Sequence, residues 1–469
     1  MSKKASVIVH RLNRPHQEES FTQFLPLSDK LKEEVFTAVR EIFDAAGGKA
    51  LLKSSGDVYL KPNGVCCKAY SYTRLELVEG VIRYWKDKGA RNIYLFENST
   101  QANLTRMVFA ITGYSEVCHR LGVKQVFLDE EKTQTLNFTG KGLEDRVEHG
   151  YRQASFQMPT FIVEQLIKRK NKNLYINLPK LKTHSMTDVT LGIKNQWGFP
   201  QHKDRQKDHN YNLHHKLTDM LGFVRPDFTL IEGIEGTIHG HYPVTAFADT
   251  CVIPFKVLIG SKNVVAADMV GTKLFGLEPR EVSHIDLAIK GDFGEEVSSF
   301  SDIEIIGDIS DFNHVYQTDL LPRFPEDVRI LRGEELLCRE GCQNNPLTLL
   351  QIFAYDHGGK GGWAMIMGKG HKPEEIKDLT GKVLVVGQCA IAELGQPLAE
   401  RLGRRKVYFS GHCNDLGASI CAMAHLMKVS PLRLVPYPPL AAAKILLVAK
   451  LKGTNSKVPH LLANLLKVV

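Results

Sequence analysis

The sequence predicts an α/β protein with parallel or mixed sheets and flanking helices, in which a larger N-terminal domain precedes a smaller C-terminal α/β domain. Two observations lead to this prediction. Short apolar runs that are typical of strands alternate along the chain with segments of helical periodicity, and this order is typical of parallel sheets. Several of the runs end in polar or glycine-containing residues, and α/β folds bind their ligands at such strand ends.

The first half of the chain shows this alternation most clearly. A strand is predicted in SVIVHRL, a helix over residues 30–46, a strand in DVYLKPN, a helix over residues 75–88 and a strand in NIYLFENS. Further strands are predicted in KQVFLD, NLYINLPKL, DFTLIEGI and FKVLIGS. A strand, a crossover helix and a second strand predict parallel pairing.

A domain boundary is predicted within residues 320–330, where two prolines lie in four residues. The main α/β domain would then span residues 1–325 and the smaller one residues 326–435. The smaller domain contains a predicted strand–helix–strand unit, from KVLVVGQC to KVYFSGHC. An apolar, lysine-containing helical tail follows over residues 436–469.

Composition limits the class of protein. The 469 residues are 43% hydrophobic and 24% charged, values that argue against disordered, collagen-like and multispan membrane proteins. No apolar run reaches the roughly 18–20 residues that span a bilayer, and the N-terminus lacks the apolar core of a secretory signal. Nine cysteines are too few for a disulfide framework in a chain of this length, so a cytoplasmic location is expected.

The net charge of +8 is unevenly distributed. No acidic residue follows Asp415, whereas the part up to Asp415 is nearly neutral, which argues against a nucleic-acid partner. The tail holds two apolar stretches, LAAAKILLVAKL and HLLANLLKVV, on either side of a polar turn. These stretches fit peripheral contact with an anionic membrane, and they fit a helix packed on the protein's own body or on a twin subunit in a homodimer. The packed interpretation is favoured, because cytosolic proteins routinely bury C-terminal helices.

Four cysteines in the C-terminal domain form a candidate metal site. Cys338 and Cys342 are a C-x3-C pair, and Cys389 and Cys413 each follow a predicted strand in a Gly-x-Cys turn. Because a right-handed crossover makes these two strands parallel, both turns lie at one edge of the sheet. Four thiolates could bind a 4Fe-4S cluster or, alternatively, Zn²⁺; packing cysteines at crowded strand ends are the third interpretation.

The segment NLPKLKTHSMTDVTLGIKNQWG has the highest density of functional groups in the main domain. Strand NLYINL ends at Leu178, and a loop after it would place Lys180, Lys182 and His184 at the carboxyl edge of the sheet. Clustered cations suit a carboxylate or a phosphate, so the segment predicts a site for a small anionic substrate, although a solvated basic loop has the same composition.

Histidines are frequent downstream of this segment. They include His209 and the H-x-H motif TIHGHYP, and imidazoles can ligate a metal or relay protons. We favour His184 and His209 as acid–base or anion-binding groups.

Several motifs together resemble the family catalogued as domain of unknown function 362. They are VYLKPN, a helix start at Thr73 and Arg74, NLPKLKTH, VTLGIKNQWG, VRPDFTLIEGIEG and GSKNVVAADMVGTKLFG, and they cover about residues 57–295. Members often carry iron–sulphur cysteines in a ferredoxin-like insert. This chain lacks the insert, so the resemblance implies a cluster on Cys338, Cys342, Cys389 and Cys413. The order of elements is also similar, more distantly, to the lactate racemase family, which binds a nickel-pincer nucleotide.

The resemblance and the predicted sheet edge together define a candidate site. The expected catalytic residues are Lys182, His184, Lys194 and His209, and the expected substrate-binding residues are Lys61, Asn63, Thr73, Arg74, Lys180 and Asn195. The function expected first is an iron–sulphur enzyme, redox or Lewis-acid, that acts on a small anion and has an electron-transfer partner if it is an oxidoreductase. The alternatives are a non-redox racemase or epimerase and an iron–sulphur binding or assembly protein.

Overall fold

The computed structural model describes residues 4–13, 21, 27–100, 102–139, 154–208, 213–295, 297–411, 415–434 and 436–458. His209, Cys413 and the second apolar stretch of the tail therefore lie outside the described residues. Within these ranges the protein is α/β, with a large mixed sheet, a four-stranded parallel sheet and a two-stranded ribbon. The predicted fold class is confirmed.

The first thirteen strands belong to the N-terminal part of the chain. They are β1 Ala5–Arg11, β2 Asp57–Pro62, β3 Asn92–Glu97, β4 Lys124–Phe127, β5 Thr133–Asn137, β6 Ser155–Pro159, β7 Leu174–Leu178, β8 Lys180–His184, β9 Asp188–Val189, β10 Phe228–Thr237, β11 Val252–Ile253, β12 Val257–Ser261 and β13 Ile303–Ile306. The large sheet runs in the order β13-β1-β12-β10-β7-β2-β3-β4, with β8, β9 and β11 branching from it, and β5 and β6 form the ribbon.

Pairing within the large sheet is partly parallel, as predicted. Strands β10, β7, β2, β3 and β4 are mutually parallel, so their carboxyl ends lie at one edge. Strand β12 pairs antiparallel with both β10 and β1 and makes the sheet mixed. The polar side chains that follow β2, β3 and β7 are therefore brought to a common edge.

Within the described ranges, eleven α-helices connect or cover these strands. They are α1 Asp29–Ala45, α2 Leu75–Asp87, α3 Thr105–Ile111, α4 Tyr114–Arg120, α5 Thr160–Ile162, α6 Gly192–Asn195, α7 His202–Asp208, α8 Leu213–Phe223, α9 Ala248–Cys251, α10 Val264–Leu274 and α11 Ser283–Lys290. Helix α1 shows why they form where they do. Ser28 caps it by accepting a hydrogen bond from the Leu31 amide, and the buried residues Leu31, Val35 and Val39 recur at helical spacing.

The core lies on both faces of the large sheet because side chains alternate along each strand. In β2, Val58 and Leu60 belong to the apolar cluster on one face, and Tyr59 belongs to the cluster on the other. A strand buried on both faces needs helices on both sides. This explains why β2 is apolar at nearly every position until it reaches Lys61.

The C-terminal sheet begins at Val328, close to the predicted boundary. Its strands β14 Val328–Arg332, β15 Trp363–Met367, β16 Lys382–Val386 and β17 Val407–Phe409 are all parallel and adjacent in that order. The accompanying helices are α12 Asn344–Gln351, α13 Pro373–Lys377, α14 Gly387–Ala390, α15 Gln396–Leu402, α16 Leu416–Leu426 and α17 Pro439–Leu451. The predicted parallel strand–helix–strand unit from residue 382 to 409 is confirmed.

The two parts of the chain contact each other next to β8 and β9. The Asn344 side-chain amide donates a hydrogen bond to the Ser185 carbonyl at 2.6 Å, and Arg339 pairs with Asp188 at 2.9 Å. Both C-terminal residues lie within two positions of Cys342 or Cys338. The segment that holds the C-x3-C pair therefore packs against the end of the KLKTH strand.

The tail helix α17 packs against α3 of the main domain. Beyond it, the Thr454 hydroxyl donates to the Asp129 carboxylate at 2.8 Å, and the Ser456 hydroxyl donates to the Asn103 carbonyl at 2.7 Å. The described part of the tail thus follows the interpretation in which it packs on the protein's own body. Among the described residues, no helix combines the length and the apolar character needed to cross a bilayer.

Candidate functional site

One difference from the sequence prediction determines the geometry of the site. The sequence predicts a loop after Leu178, but residues 180–184 form strand β8, which pairs parallel with β10. Side chains at alternate positions of a strand share a face, so Lys180, Lys182 and His184 lie on the same side of the backbone. The pairing with β10 then gives each of these side chains different neighbours.

A chain of side-chain amides connects the strand ends to Lys182. Asn195 donates to Asn177 at 2.8 Å, Asn63 donates to Asn195 at 2.8 Å, and Lys182 Nζ donates to Asn63 Oδ1 at 2.8 Å and to the Ser71 carbonyl at 2.6 Å. All acceptors of the Lys182 ammonium are neutral. Burial lowers the pKa of Lys182 to about 7, because it removes the ammonium from water, and no carboxylate among the described residues pairs with the charge.

Lys194 is the second buried ammonium of the site. It lies in the short helix α6 and is 8% exposed, and burial lowers its pKa to about 7. Its Nζ has no hydrogen-bonding or ion-pair partner in the described part of the chain. The start of α6 is held by Asp268, whose carboxylate accepts the amides of Gly192 and Ile193 at 2.7 and 2.8 Å. This contact fixes the position from which Lys194 extends.

Lys61 differs from these two lysines because its charge is balanced. Its Nζ lies 2.7 Å from Glu97 Oε1, and both side chains are almost fully buried. Glu97 also accepts the amides of Gly64 and Asn98, each at 2.8 Å. Burial lowers the pKa of Lys61, and the adjacent Glu97 carboxylate opposes that change. The pair therefore contributes little net charge.

Two imidazoles stack at the end of β8. The rings of His184 and His241 have centroids 3.9 Å apart and planes 7° apart. His184 Nδ1 accepts a hydrogen bond from the Met186 amide at 3.2 Å. An accepting Nδ1 carries no proton, so neutral His184 carries its proton on Nε2.

These groups surround a cavity of about 130 Å³. Arg205 adds a further cation: its guanidinium donates to the carbonyls of Asn98 and Ser99 at 3.1 and 2.6 Å, and burial lowers its pKa to about 10. Trp197 and Tyr242 form an aromatic part of the cavity wall. The remaining lining residues are Lys61, Asn63, Val65, Glu97, Asn98, Thr100, Lys182, His184, Thr190, Lys194, Asn195, Gly198, His241, Asn345 and Leu416.

Six of the predicted site residues line this cavity, and they come from two segments of the chain. They are Lys61, Asn63, Lys182, His184, Lys194 and Asn195, and only the first two precede β8. The sequence therefore predicted a common site for side chains that are up to 134 positions apart. His209 is outside the described residues, so its predicted role stays a prediction.

Three predicted substrate-binding residues, Thr73, Arg74 and Lys180, are not among the described residues that line the cavity. Lys180 is fully buried and pairs with Glu232 at 2.7 Å, and Arg74 pairs with Glu235 at 2.7 Å. The Thr73 hydroxyl donates to the Leu178 carbonyl at 2.6 Å. These contacts join the strand ends to one another, and they stabilise the backbone that carries the cavity residues.

The sequence predicts no site role for Arg205, and it indicates His241 only as part of the H-x-H motif. His241 follows β10 closely, so the pairing of β8 with β10 brings it to His184. That pairing could not be predicted while residues 180–184 were interpreted as a loop. For Arg205 the only sequence signal was its place in the basic stretch that follows Lys194.

Three of the four predicted metal ligands are described, and they lie at the carboxyl edge of the small sheet. Cys338 and Cys342 follow β14, and Cys389 follows β16. Gly387 has a φ of +84°, and a Cβ at this position would lie 2.1 Å from Cys342 Sγ. The thiol of Cys342 therefore touches the turn that carries Cys389, and only glycine allows that approach.

In the described part of the chain, no group of three or more His, Cys, Asp or Glu side chains is arranged to hold a metal ion. Cys413 is not among those residues. The arrangement of Cys342 against the Gly387 turn fits a shared site, and the convergence of all four cysteines stays a prediction.

The chain is similar to a known protein over part of its sequence, and it aligns with a solved structure. The chain is 29% identical over 124 residues to Thylakoid-associated protein sll1697 of Synechocystis sp., a match that covers 24% of this chain and 35% of that protein. A crystal structure of a Thermotoga maritima protein aligns over 83% of this chain and 81% of its own, at 11% identity and a TM-score of 0.38. At that TM-score the likeness assigns no function to this chain.

The family comparison concerns the segment that builds the cavity. That segment contributes Lys61, Lys182, His184 and Lys194, and its motifs predict a match to the domain of unknown function 362 family. Residues 58–273 match the family model described as Domain of unknown function (DUF362).

Proposed function

We propose that this protein is an enzyme that binds a small anionic substrate in the cavity beside β8, next to a 4Fe-4S cluster held by Cys338, Cys342, Cys389 and Cys413. The observation that carries the proposal is the pair of buried ammonium groups, Lys182 and Lys194, which face one cavity without a carboxylate partner in the described part of the chain. A fold tolerates such uncompensated charge where function requires it.

The charge balance of the cavity favours an anion. Lys61 is neutralised by Glu97, whereas Lys182, Lys194 and Arg205 bind only neutral acceptors or have no partner among the described residues. A bound carboxylate or phosphate oxygen would supply the missing negative charge and would accept hydrogen bonds from the ammonium groups. A cavity of about 130 Å³ suits a small molecule.

His184 is the proposed proton-transfer group. Its Nδ1 is engaged by the Met186 amide, so Nε2 is the nitrogen that exchanges a proton with a bound molecule. His241 stacks on the same ring and limits its rotation. Because the imidazole lies in the cavity with Lys194, a substrate held by the lysine would be within the same enclosed space as the Nε2 proton donor.

The C-terminal part of the chain connects the cavity to the proposed cluster. Asn345 and Leu416 line the cavity, and they follow Cys342 and Cys413 by three residues. When bound, a cluster would supply electron transfer or a Lewis-acidic iron. The chain's contribution is to hold the thiols at one sheet edge and to place the substrate beside them. Zn²⁺ on the same thiols is the alternative metal.

A test of the cluster uses anaerobically purified protein. We expect a brown solution that absorbs near 400 nm, with about four iron and four sulphide per chain, and we expect both to fall by more than half in Cys338→Ser and Cys389→Ser. Cys421→Ser is the matched control, since Cys421 lies in α16 of the same domain and should retain the cluster. A colourless protein that contains one zinc per chain would show that the site binds Zn²⁺ and not a cluster. Equal metal content in all variants would reject the four-cysteine site.

A second candidate function is a racemase or epimerase that acts without redox chemistry. It is favoured by the presence of two proton-exchanging groups, His184 and Lys194, in one cavity, since inversion at a hydroxy-acid carbon needs a proton acceptor and a donor. Incubation of small 2-hydroxy acids in D₂O, followed by proton NMR, tests it. Exchange of the Cα hydrogen by metal-free protein would favour this function over the first.

A further inference from the structure

The tail helix α17 presents two different faces. Ala449 is fully buried on the side that contacts the main domain, whereas Leu440, Leu447 and Leu451 are 89%, 59% and 79% exposed. With about 100° per residue, these three leucines lie within about 40° of one another, on the side opposite Ala449. Packing on the body therefore leaves a leucine stripe facing outward.

Lysines flank this stripe. Lys444 and Lys450 are exposed and lie on either side of the three leucines by the same helical geometry. From Leu416 to the end of the chain there is no Asp or Glu, whereas seven Lys or Arg side chains occur. Of the described residues, the large hydrophobic side chains that are more than 75% exposed are both in this stripe, Leu440 and Leu451. The surface is thus apolar at its centre and positively charged at its margins.

We propose that the leucine stripe of α17 binds the surface of an anionic lipid bilayer. The charge of the tail selects this occupant, because a bilayer with anionic headgroups complements lysines at the margin and accepts leucines between them. A second copy of the chain would bring the same lysines together and is disfavoured by their repulsion. The helix lies in the plane of the interface, since its thirteen residues cannot span the hydrocarbon layer.

Cosedimentation of the full-length protein with vesicles tests this proposal. We expect binding to vesicles of equal parts phosphatidylglycerol and phosphatidylcholine at physiological salt, and at least tenfold weaker binding to phosphatidylcholine alone. The triple variant Leu440→Ser, Leu447→Ser, Leu451→Ser should lose at least tenfold in affinity. Lys444→Gln with Lys450→Gln should lose roughly fivefold per lysine and remove most of the salt dependence.

Val315→Ser is the matched control, because Val315 is 60% exposed elsewhere on the surface and should not change binding. Circular dichroism and thermal melting establish that each variant is folded. Absence of binding by the unchanged protein, or equal binding by the triple variant, would overturn the proposal. A dimer that becomes monomeric in the triple variant without vesicle binding would also overturn it and would assign the stripe to a second copy.

Discussion

Lys194→Met is expected to abolish anion binding and at the same time to stabilise the protein. The substitution removes the ammonium that has no partner among the described residues and keeps an unbranched side chain of similar length. Small carboxylates and phosphate should raise the melting temperature of the unchanged protein, and we expect no rise for the variant. Without ligand, the variant should be more stable by about 2 kcal/mol, since a buried uncompensated charge is lost.

The pH dependence of both effects follows from the lowered pKa of Lys194. Folding brings this pKa from its ordinary value of 10.5 to about 7, so the unfolded chain binds more protons between those two pH values. The cost of burying the lysine is fully present below pH 7 and disappears as the pH rises toward 10.5. The stabilising effect of Lys194→Met should therefore be greatest at or below pH 7.

The anion affinity of the unchanged protein should also depend on pH. Only the protonated lysine attracts an anion, so affinity should be highest below pH 7 and should fall as the pH rises through 7, by roughly tenfold per pH unit for each of Lys182 and Lys194 that contacts the anion. Lys203→Met is the matched control, since Lys203 is an exposed lysine nearby in α7. Thermal shift and calorimetry across pH 6 to 8.5 measure both quantities. Anion binding that persists in Lys194→Met would contradict the proposed site.

The parallel strands of the large sheet could be predicted because their signals are local. Apolar runs such as the one that ends at Lys61 alternate with amphipathic helices, and parallel pairing then brings the ends of distant strands to one edge. This is why Lys61 and Lys182 could be assigned to one cavity from sequence alone. The small sheet was predictable for the same reason.

The different contacts of the individual lysines could not be predicted in this way. Lys180 and Lys182 belong to the same motif and lie on the same side of β8, yet Lys180 contacts a carboxylate of β10 and Lys182 contacts the amide of Asn63. The difference depends on the register between β8 and β10, which shifts irregularly between Glu232 and Thr237. Long-range register of this kind has no local sequence signal, and it also determined which histidine joined His184.

The ion pair between Lys180 and Glu232 gives the second large expected effect, which is on stability. Both side chains are 0% exposed, and Glu232 also accepts the amides of Arg74 and Ile234, at 3.0 and 2.9 Å. The Arg74 amide bonds Oε2 and the Ile234 amide bonds Oε1, so Glu232→Gln keeps an acceptor for only one of them. It also leaves the buried Lys180 charge with only the Glu235 carboxylate, at 3.9 Å. We expect this variant to lose about 3–5 kcal/mol of unfolding free energy in urea denaturation.

The double variant Lys180→Met, Glu232→Gln separates a structural role from a role in the site. It removes both charges and keeps one of the two amide contacts, so it should recover the part of the stability loss that comes from the unbalanced Lys180 charge. Because neither side chain is among the described residues that line the cavity, the folded double variant should bind small anions with unchanged affinity. Full stability together with lost anion binding would show instead that Lys180 contacts the ligand. That outcome would restore the role predicted for it from the KLKTH motif.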